Sequence, residues 1–299
     1  SAMIELVVDA RRRSLGGFDV GRVLPFHKRK MVGPFVFFDH MGPVDFPAGV
    51  SRDIDVKPHP HIGLSTLTYL FAGEIMHRDS VGAVQPIDPG EVNWMTAGSG
   101  ITHSERFERA QREGDHVDGI QAWVALPDEF EECAPSFDHV EVSGLPDLSE
   151  GKVQGRLIAG EAFGAKAEVP VHSPLFYVHW IVPAGARLAL PTEYPERAVY
   201  VASGEVGAGA TRLGPGQMAV FAPGSEPVLE VRAPSVLMAL GGEPLGRRFI
   251  DWNFVSSRKE RIEQAKADWR AGRMKLPDHD SDEFIPLPPE PGAPANPMS

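Results

Sequence analysis

Cysteine is nearly absent: Cys133 is the only one in 299 residues. No internal disulfide can form and no cysteine-based zinc cluster can assemble. That usage fits a reducing, cytoplasmic compartment, with Cys133 as a small buried hydrophobe. Long apolar runs are missing too. None approaches the roughly 18–20 residues of a membrane helix, and the start, Ser1-Ala2-Met3-Ile4-Glu5, lacks a signal peptide's charged-then-apolar order. Ser1-Ala2 reads as a cloning remnant. Positive charge is scarce as well. Lys+Arg 29 against Asp+Glu 41 gives a net −12, which argues against the clustered basic surface of a nucleic-acid binder. The one basic run, Arg11-Arg12-Arg13, reads as a solvated strand end. The expectation is a soluble protein with neither nucleic acid nor membrane as partner.

Turn residues are plentiful, with Gly 31 and Pro 28, and they favour many short strands over long helices. Ile4–Val8, Phe35–Phe38, Leu64–Phe71, Ile75–His77, Glu91–Met95 and Ile120–Leu126 are rich in β-branched and aromatic residues and bounded by Gly or Pro. An antiparallel sandwich or barrel is expected. The second half repeats the pattern: Arg197–Val206 echoes Ser65–Ile75 around a Gly-Glu turn, and Leu213–Val220 echoes Ile87–Trp94 around a Pro-Gly turn. The predicted domains are 3–142 and 143–284, with a proline-rich tail over 285–299 that holds six prolines. One helix stands out, with Ser257-x-x-Glu260 as a capping box, Ile262, Ala265 and Trp269 on one face, and Gly272 as its stop.

Of eleven histidines, three fall in two short pairs: His59-Pro60-His61, and His103-Ser104-Glu105, where the second member is a glutamate. In an extended chain, residues two apart point to one face. Two such pairs on neighbouring strands would aim three imidazoles and one carboxylate at a common interior point. A single pair of this kind is ordinarily a hydrogen-bonded core or surface feature; two, each framed by Gly and Pro, point to a metal. Three neutral nitrogens and one anionic oxygen suit a divalent first-row ion with open positions. The absence of cysteine leans the site from structural zinc toward Fe(II), with Zn, Mn, Ni, Co or Cu as other candidates. His77-Arg78-Asp79 is a further pair that either extends this site or forms a polar hairpin face, and His40 is a candidate ligand contact at the barrel rim. No G-x-S-x-G elbow occurs, and Gly98-Ser99-Gly100 lacks the lysine of a phosphate loop.

His59-Pro60-His61-Ile62-Gly63, the Leu67–Gly73 strand and turn, and Pro89-Gly90-x-x-x-Trp94-Met95-Thr96-Ala97-Gly98-x-Gly100-Ile101-x-His103-Ser104-Glu105 together resemble the pirin family. The likeness extends to Gly33–Asp39 upstream and to Trp252-Asn253-Phe254-Val255-Ser256-Ser257 downstream. It implies an all-β fold of two tandem cupin-type antiparallel β-barrels, a bicupin, with a short C-terminal helix. It also implies that His59, His61, His103 and Glu105 are the ligands of an iron in the first barrel. Many pirins carry a glutamate where this chain has Ser65, which leaves Glu105 as the one carboxylate ligand. Sliding the repeat over itself puts Leu190, Thr192 and Leu229 at the places of His59, His61 and His103, so the second barrel is expected to be metal-free.

Several pirins degrade the flavonol quercetin, and the resemblance implies a dioxygenase that opens such substrates with O2, with Glu105 as the catalytic proton acceptor. Other pirins are transcriptional co-regulators or inhibitors of metabolic enzymes. The second reading is therefore a non-enzymatic, iron-dependent redox sensor that binds a protein partner. A third is metal-dependent isomerisation or hydrolysis of a small metabolite, since the fold does not fix the reaction. A monomer is expected.

Overall fold

The computed structural model describes residues 3–289. The chain opens with β1 (Ile4–Asp9), β2 (Arg11–Ser14), β3 (Asp19–Leu24) and β4 (Phe35–Phe46). The region with the paired histidines follows as β5 (Val56–His61), β6 (Leu64–Ala72), β7 (Ile75–Asp79), β8 (Val84–Ile87), β9 (Val92–Thr96) and β10 (Ile101–Arg106). A six-residue helix, α1 (Glu108–Glu113), leads to β11 (Asp115–Ala125) and β12 (Ser136–Val140). The repeat then runs through β13 (Gln154–Ala162), β14 (Ala165–Lys166), β15 (Leu175–Val182), β16 (Arg187–Ala189), β17 (Glu196–Ser203) and β18 (Val206–Ala208). It finishes with β19 (Thr211–Leu213), β20 (Gln217–Phe221), β21 (Val228–Val231) and β22 (Ser235–Gly242). The hairpin β23 (Phe249–Asp251) and β24 (Phe254–Ser256) precedes helix α2 (Lys259–Arg270). Among the described residues no helix is long and apolar enough to cross a membrane.

Two pairs of antiparallel sheets result. One pair has the orders β12-β9-β6-β11-β4-β3-β2 and β5-β10-β7-β8; the other has β1-β20-β17-β22-β15-β13-β14 and β16-β21-β18-β19. Strand for strand these are the same order, so the repeat in sequence is a repeat in fold. Its hairpins turn on matched glycines, Gly73 at φ +91° and Gly204 at φ +92°, a backbone state that glycine adopts at no steric cost. The N-terminal strand β1 takes, beside β20, the place that β12 takes beside β9.

Contacts divide the described residues into one unit of 12–20, 41–139 and 246–289, and another of 3–11, 21–40 and 140–245. The C-terminal helix groups with the unit that carries β5–β11. The reason is hydrophobic: Ile262, Ala265 and Trp269 of α2 pack with Trp252, Phe254 and Ile62, the residue after the His-Pro-His motif. The capping box does not form. Arg258 is the N-cap, without a side-chain bond, because the Ser257 amide (2.8 Å) and hydroxyl both donate to the Glu131 carboxylate. The N–H of Gly272, at φ +70°, donates to the Trp269 carbonyl just past the helix end. Of the proline-rich tail, Ile285 and Leu287 pack on the same cluster; residues 290–299 lie outside the described residues.

The second repeat is closed on an apolar interior that includes Phe176, Trp180, Leu188, Leu190, Val199, Leu213 and Leu229. β21 pairs with β16 so that Leu229 faces Leu188, whereas in the first repeat His103 of β10 faces His59 of β5. The counterparts of His59 and His61 are thus Leu188 and Leu190, two residues earlier than the sequence offset indicates. Only two residues separate β5 from β6, but six separate β16 from β17, and that extra loop length shifts the count.

Two consequences are measurable. Gly63 holds φ +73°, and a Cβ there would lie 1.9 Å from the Val255 carbonyl oxygen, so Gly63→Ala is expected to cost at least about 2 kcal/mol in denaturant unfolding. A loss below about 0.5 kcal/mol would show that the turn tolerates a side chain. Separately, burial first, and the Arg156 charge second, push the His179 imidazole down to about 3. The unfolded chain takes up this proton near 6.5, the folded chain only near 3. His179 therefore contributes its full stability above about pH 6.5, and loses it as pH falls, with a slope approaching about 1.4 kcal/mol per pH unit. His179→Gln should flatten that slope between pH 4 and 6; parallel curves for the two proteins would refute the assignment.

Candidate metal centre

The centre is built on two adjacent strands. β5 and β10 pair antiparallel with His59 opposite His103 and His61 opposite Ile101. The period-two alternation of each strand then carries His59, His61 and His103 to one face. The turns at the strand ends lock this register: the Gly63 amide, after β5, donates to the Gly98 carbonyl, before β10, at 3.0 Å. Gly98 is held at φ +55°, where a Cβ would lie 2.0 Å from the Cys133 carbonyl oxygen.

The result is a buried cluster in which one nitrogen from each of His59, His61 and His103 lies within 4.8 Å of the others. His59 is 0 %, His61 0 % and His103 1 % exposed. Their ring centroids are 4.4–5.1 Å apart. Two backbone carbonyls orient the rings: His59 Nδ1 lies 2.7 Å from the Lys57 oxygen and His61 Nδ1 2.9 Å from the Asn253 oxygen. A carbonyl only accepts, so each Nδ1 carries the proton and each Nε2 keeps its lone pair, as a metal ligand requires. Burial, reinforced by the neighbouring His59, pushes the His61 imidazole well below its ordinary value against the opposing pull of the Asn253 carbonyl. His61 is therefore neutral at physiological pH.

These nitrogens fit a first-row ion. His61 Nε2 and His103 Nε2 are 3.2 Å apart, too close for two facing lone pairs unless a proton or a cation lies between. Two nitrogens each about 2.1 Å from one ion would subtend roughly 100° at that separation, between octahedral and tetrahedral angles. Glu105 is not one of the group of three. It lies two residues on from His103, is 4 % exposed, and pairs across to Val56 on one side and His77 on the other. The β5–β10 register shifts between His103 and Glu105, a bulge of the kind that re-aims side chains beside functional sites.

Other sequence candidates fall in place around the cluster or away from it. His77 and Asp79 are buried rather than on a polar hairpin face: His77 Nε2 is 2.6 Å from Asp79 Oδ2. The His77 ring stacks on Phe137 at 4.3 Å and lies 5.4 Å from the His103 ring. The amides of Val81 and Ala83 donate to the other Asp79 oxygen, each at 3.0 Å. His40 is not at the site. It belongs to the other unit, where its Nδ1 is 2.6 Å from the Tyr200 hydroxyl. Ser65 is buried, with Oγ 3.1 Å from Thr96 Oγ1. Residues that the sequence pattern did not single out are Trp123, whose ring meets His61 edge-on at 5.1 Å, and the carbonyls of Lys57 and Asn253. A backbone oxygen leaves no mark in a residue pattern, although Asn253 lies within the Trp252–Ser257 motif.

A family model described as Pirin matches residues 17–124, and one described as Pirin C-terminal cupin domain matches residues 177–275. A pirin-like protein of Caulobacter vibrioides is 65 % identical over 287 residues, covering 96 % of this chain and 100 % of that protein. Human Pirin is 31 % identical over 280 residues, 90 % of this chain and 93 % of its own length. A solved quercetin 2,3-dioxygenase from Acinetobacter baumannii superposes with a TM-score of 0.88 at 31 % identity, covering 96 % of each chain. Similarity that runs through both repeats, on a fold whose first repeat gathers three histidines placed to hold a metal ion, has one reading: the chain belongs to the pirin family and is a metal-binding bicupin.

Proposed function

We propose that this protein is a mononuclear non-haem iron dioxygenase that opens flavonol-type substrates with O2. The observation that carries the reading is the donor set: three buried imidazoles whose ring nitrogens converge, with the Nε2 lone pairs of His59 and His61 left free by the Lys57 and Asn253 carbonyls, and a buried glutamate two residues from the third. Similarity to the quercetin 2,3-dioxygenase of Acinetobacter baumannii, 31 % identical over 96 % of this chain, supports the substrate class.

His59, His61 and His103 would hold the ion, with Glu105 as the fourth ligand. When bound, Fe(II) supplies a Lewis acid for the hydroxyl and keto oxygens of the substrate and a redox partner for O2. The chain's own groups do the rest. Glu105 takes the 3-hydroxyl proton as the substrate enters, since a carboxylate beside the ion is within hydrogen-bond reach of that oxygen. The Lys57 and Asn253 carbonyls keep the Nδ1 protons of His59 and His61 in place, so that each of these two rings offers its Nε2. Trp123 against His61 and Phe137 against His77 keep water from the nitrogens. In the net reaction the heterocycle gains one O2 and loses one CO. Other divalent ions satisfy the same nitrogens, and supply in the cell decides among them.

Two outcomes are expected. Protein loaded anaerobically with Fe(II) should hold about one ion per chain, and His103→Ala should retain less than about a tenth of that by elemental analysis, because one of three imidazoles is gone. With a flavonol panel the loaded protein should take up O2 and release CO in equal amounts, and His103→Ala should do neither. Bound iron with no uptake would sink the flavonol reading and favour the redox-sensing, partner-binding one.

A further inference from the structure

β10 carries two sets of side chains. His103 points to the centre, whereas Thr102, Ser104 and Arg106 alternate onto the opposite face. On an uncovered strand that face would be wet, yet Thr102 is 1 %, Ser104 0 % and Arg106 5 % exposed. The chain beyond α2 covers them. The Thr102 hydroxyl donates to the Lys275 carbonyl at 2.5 Å, and the Ser104 hydroxyl donates to Asp280 Oδ2 at 2.5 Å. Arg106 meets both Asp280 oxygens at 2.8 Å, through Nε and Nη2, and reaches Glu283 at 3.0 Å. From its other amine Arg106 reaches Asp55, at the entry to β5, at 3.3 Å. β5 is the outer strand of its sheet, and the Ile285 amide donates to its Pro58 carbonyl at 2.8 Å. Lys57 meets Glu283 at 3.6 Å, and Trp269 Nε1 donates to the Ile285 carbonyl at 3.0 Å.

The segment from Lys275 to Ile285 is thus bonded to both strands that supply the imidazoles, on the face away from the centre. We propose that it is a strap that holds β5 and β10 in ligand register, with Asp280 as a positioning residue of the metal centre. This rests on the metal-binding reading above. The bidentate carboxylate–guanidinium contact fixes direction as well as distance, and it ties the residue after Glu105 to a segment that is itself pinned to β5. Strap docking and metal binding then favour the same arrangement of the two strands, so each must strengthen the other by the same factor.

The test uses the full chain with Co(II) as probe. Loss of Co(II) to excess chelator is followed by its visible absorption, and cleavage within 275–287 by limited proteolysis with and without Co(II). Asp280→Asn, which keeps the shape and removes the charge, should speed Co(II) loss at least about fivefold and shift the Co(II) bands; Asp280→Glu should restore both in part. Co(II) should in turn slow cleavage of the wild-type strap by a comparable factor. Ser104→Ala, which removes one hydrogen bond, provides the same reading, with about a twofold effect, if Asp280→Asn does not fold. An Asp280→Asn strap that is cut faster while Co(II) loss stays at the wild-type rate would overturn the proposal, as would wild-type cleavage indifferent to Co(II). Wild-type protein that takes up no Co(II) overturns the metal reading and the strap together, whereas uptake with unaltered variants overturns the strap alone.

Discussion

Two carbonyl oxygens decide what the histidine cluster can do. By accepting the Nδ1 protons of His59 and His61, the Lys57 and Asn253 carbonyls turn a crowd of buried imidazoles into inward-facing donors of one tautomer. Without them the rings of His59 and His61 could each present an N–H to the centre in place of a lone pair. The two carbonyls have different origins. Lys57 lies on β5 itself, two residues before His59, so strand geometry delivers it. Asn253 comes from the β23–β24 hairpin, where Trp252 holds φ +54°, a state uncommon for a bulky residue and a mark of local constraint. The hairpin is further held to the ligand region by the Val255 amide on the Ile62 carbonyl at 3.2 Å.

Period-two alternation explains why one strand can serve two tasks. In β10 a shift of one residue would exchange the faces, sending Ser104 to the centre and His103 under the strap. The register is therefore worth defending at several points, and the structure does so with turns as well as ladders. Gly63 and Gly98 bond to each other, and each is packed so closely against a carbonyl that no side chain fits. These glycines are as much a part of the centre as the imidazoles, since they set where the two strands begin and end.

This also accounts for what could be read from the sequence. The convergence of His59, His61 and His103 was legible because the strand period converts spacing into direction, and the Gly-Pro punctuation made the strands themselves legible. The repeat was legible through its matched Gly73 and Gly204 turns. Its register in the second half was not, since the offset changes by the extra loop residues between β16 and β17. The capping box failed because Glu131, 126 residues away from Ser257, takes both of its donors. Long-range partners of this kind, with the carbonyl anchors and the docking of α2 beside Ile62, depend on where the folded chain brings backbone and distant side chains, and no local pattern encodes that.

The two repeats share a sheet order but not a chemistry, and the difference can be placed on a few side chains. Where β5 and β10 present His59, His61 and His103, β16 and β21 lead to Leu188, Leu190 and Leu229, packed with Val199 and Leu213 in an interior of methyl groups and rings. An imidazole there would have to remain neutral, as the fate of buried His179 illustrates, and would forfeit the apolar contacts that close the barrel. The same architecture thus yields a polar centre in one repeat and a hydrophobic core in the other. What makes the first a site is not the barrel but the coincidence, at one point of it, of three imidazoles with two carbonyls that fix His59 and His61.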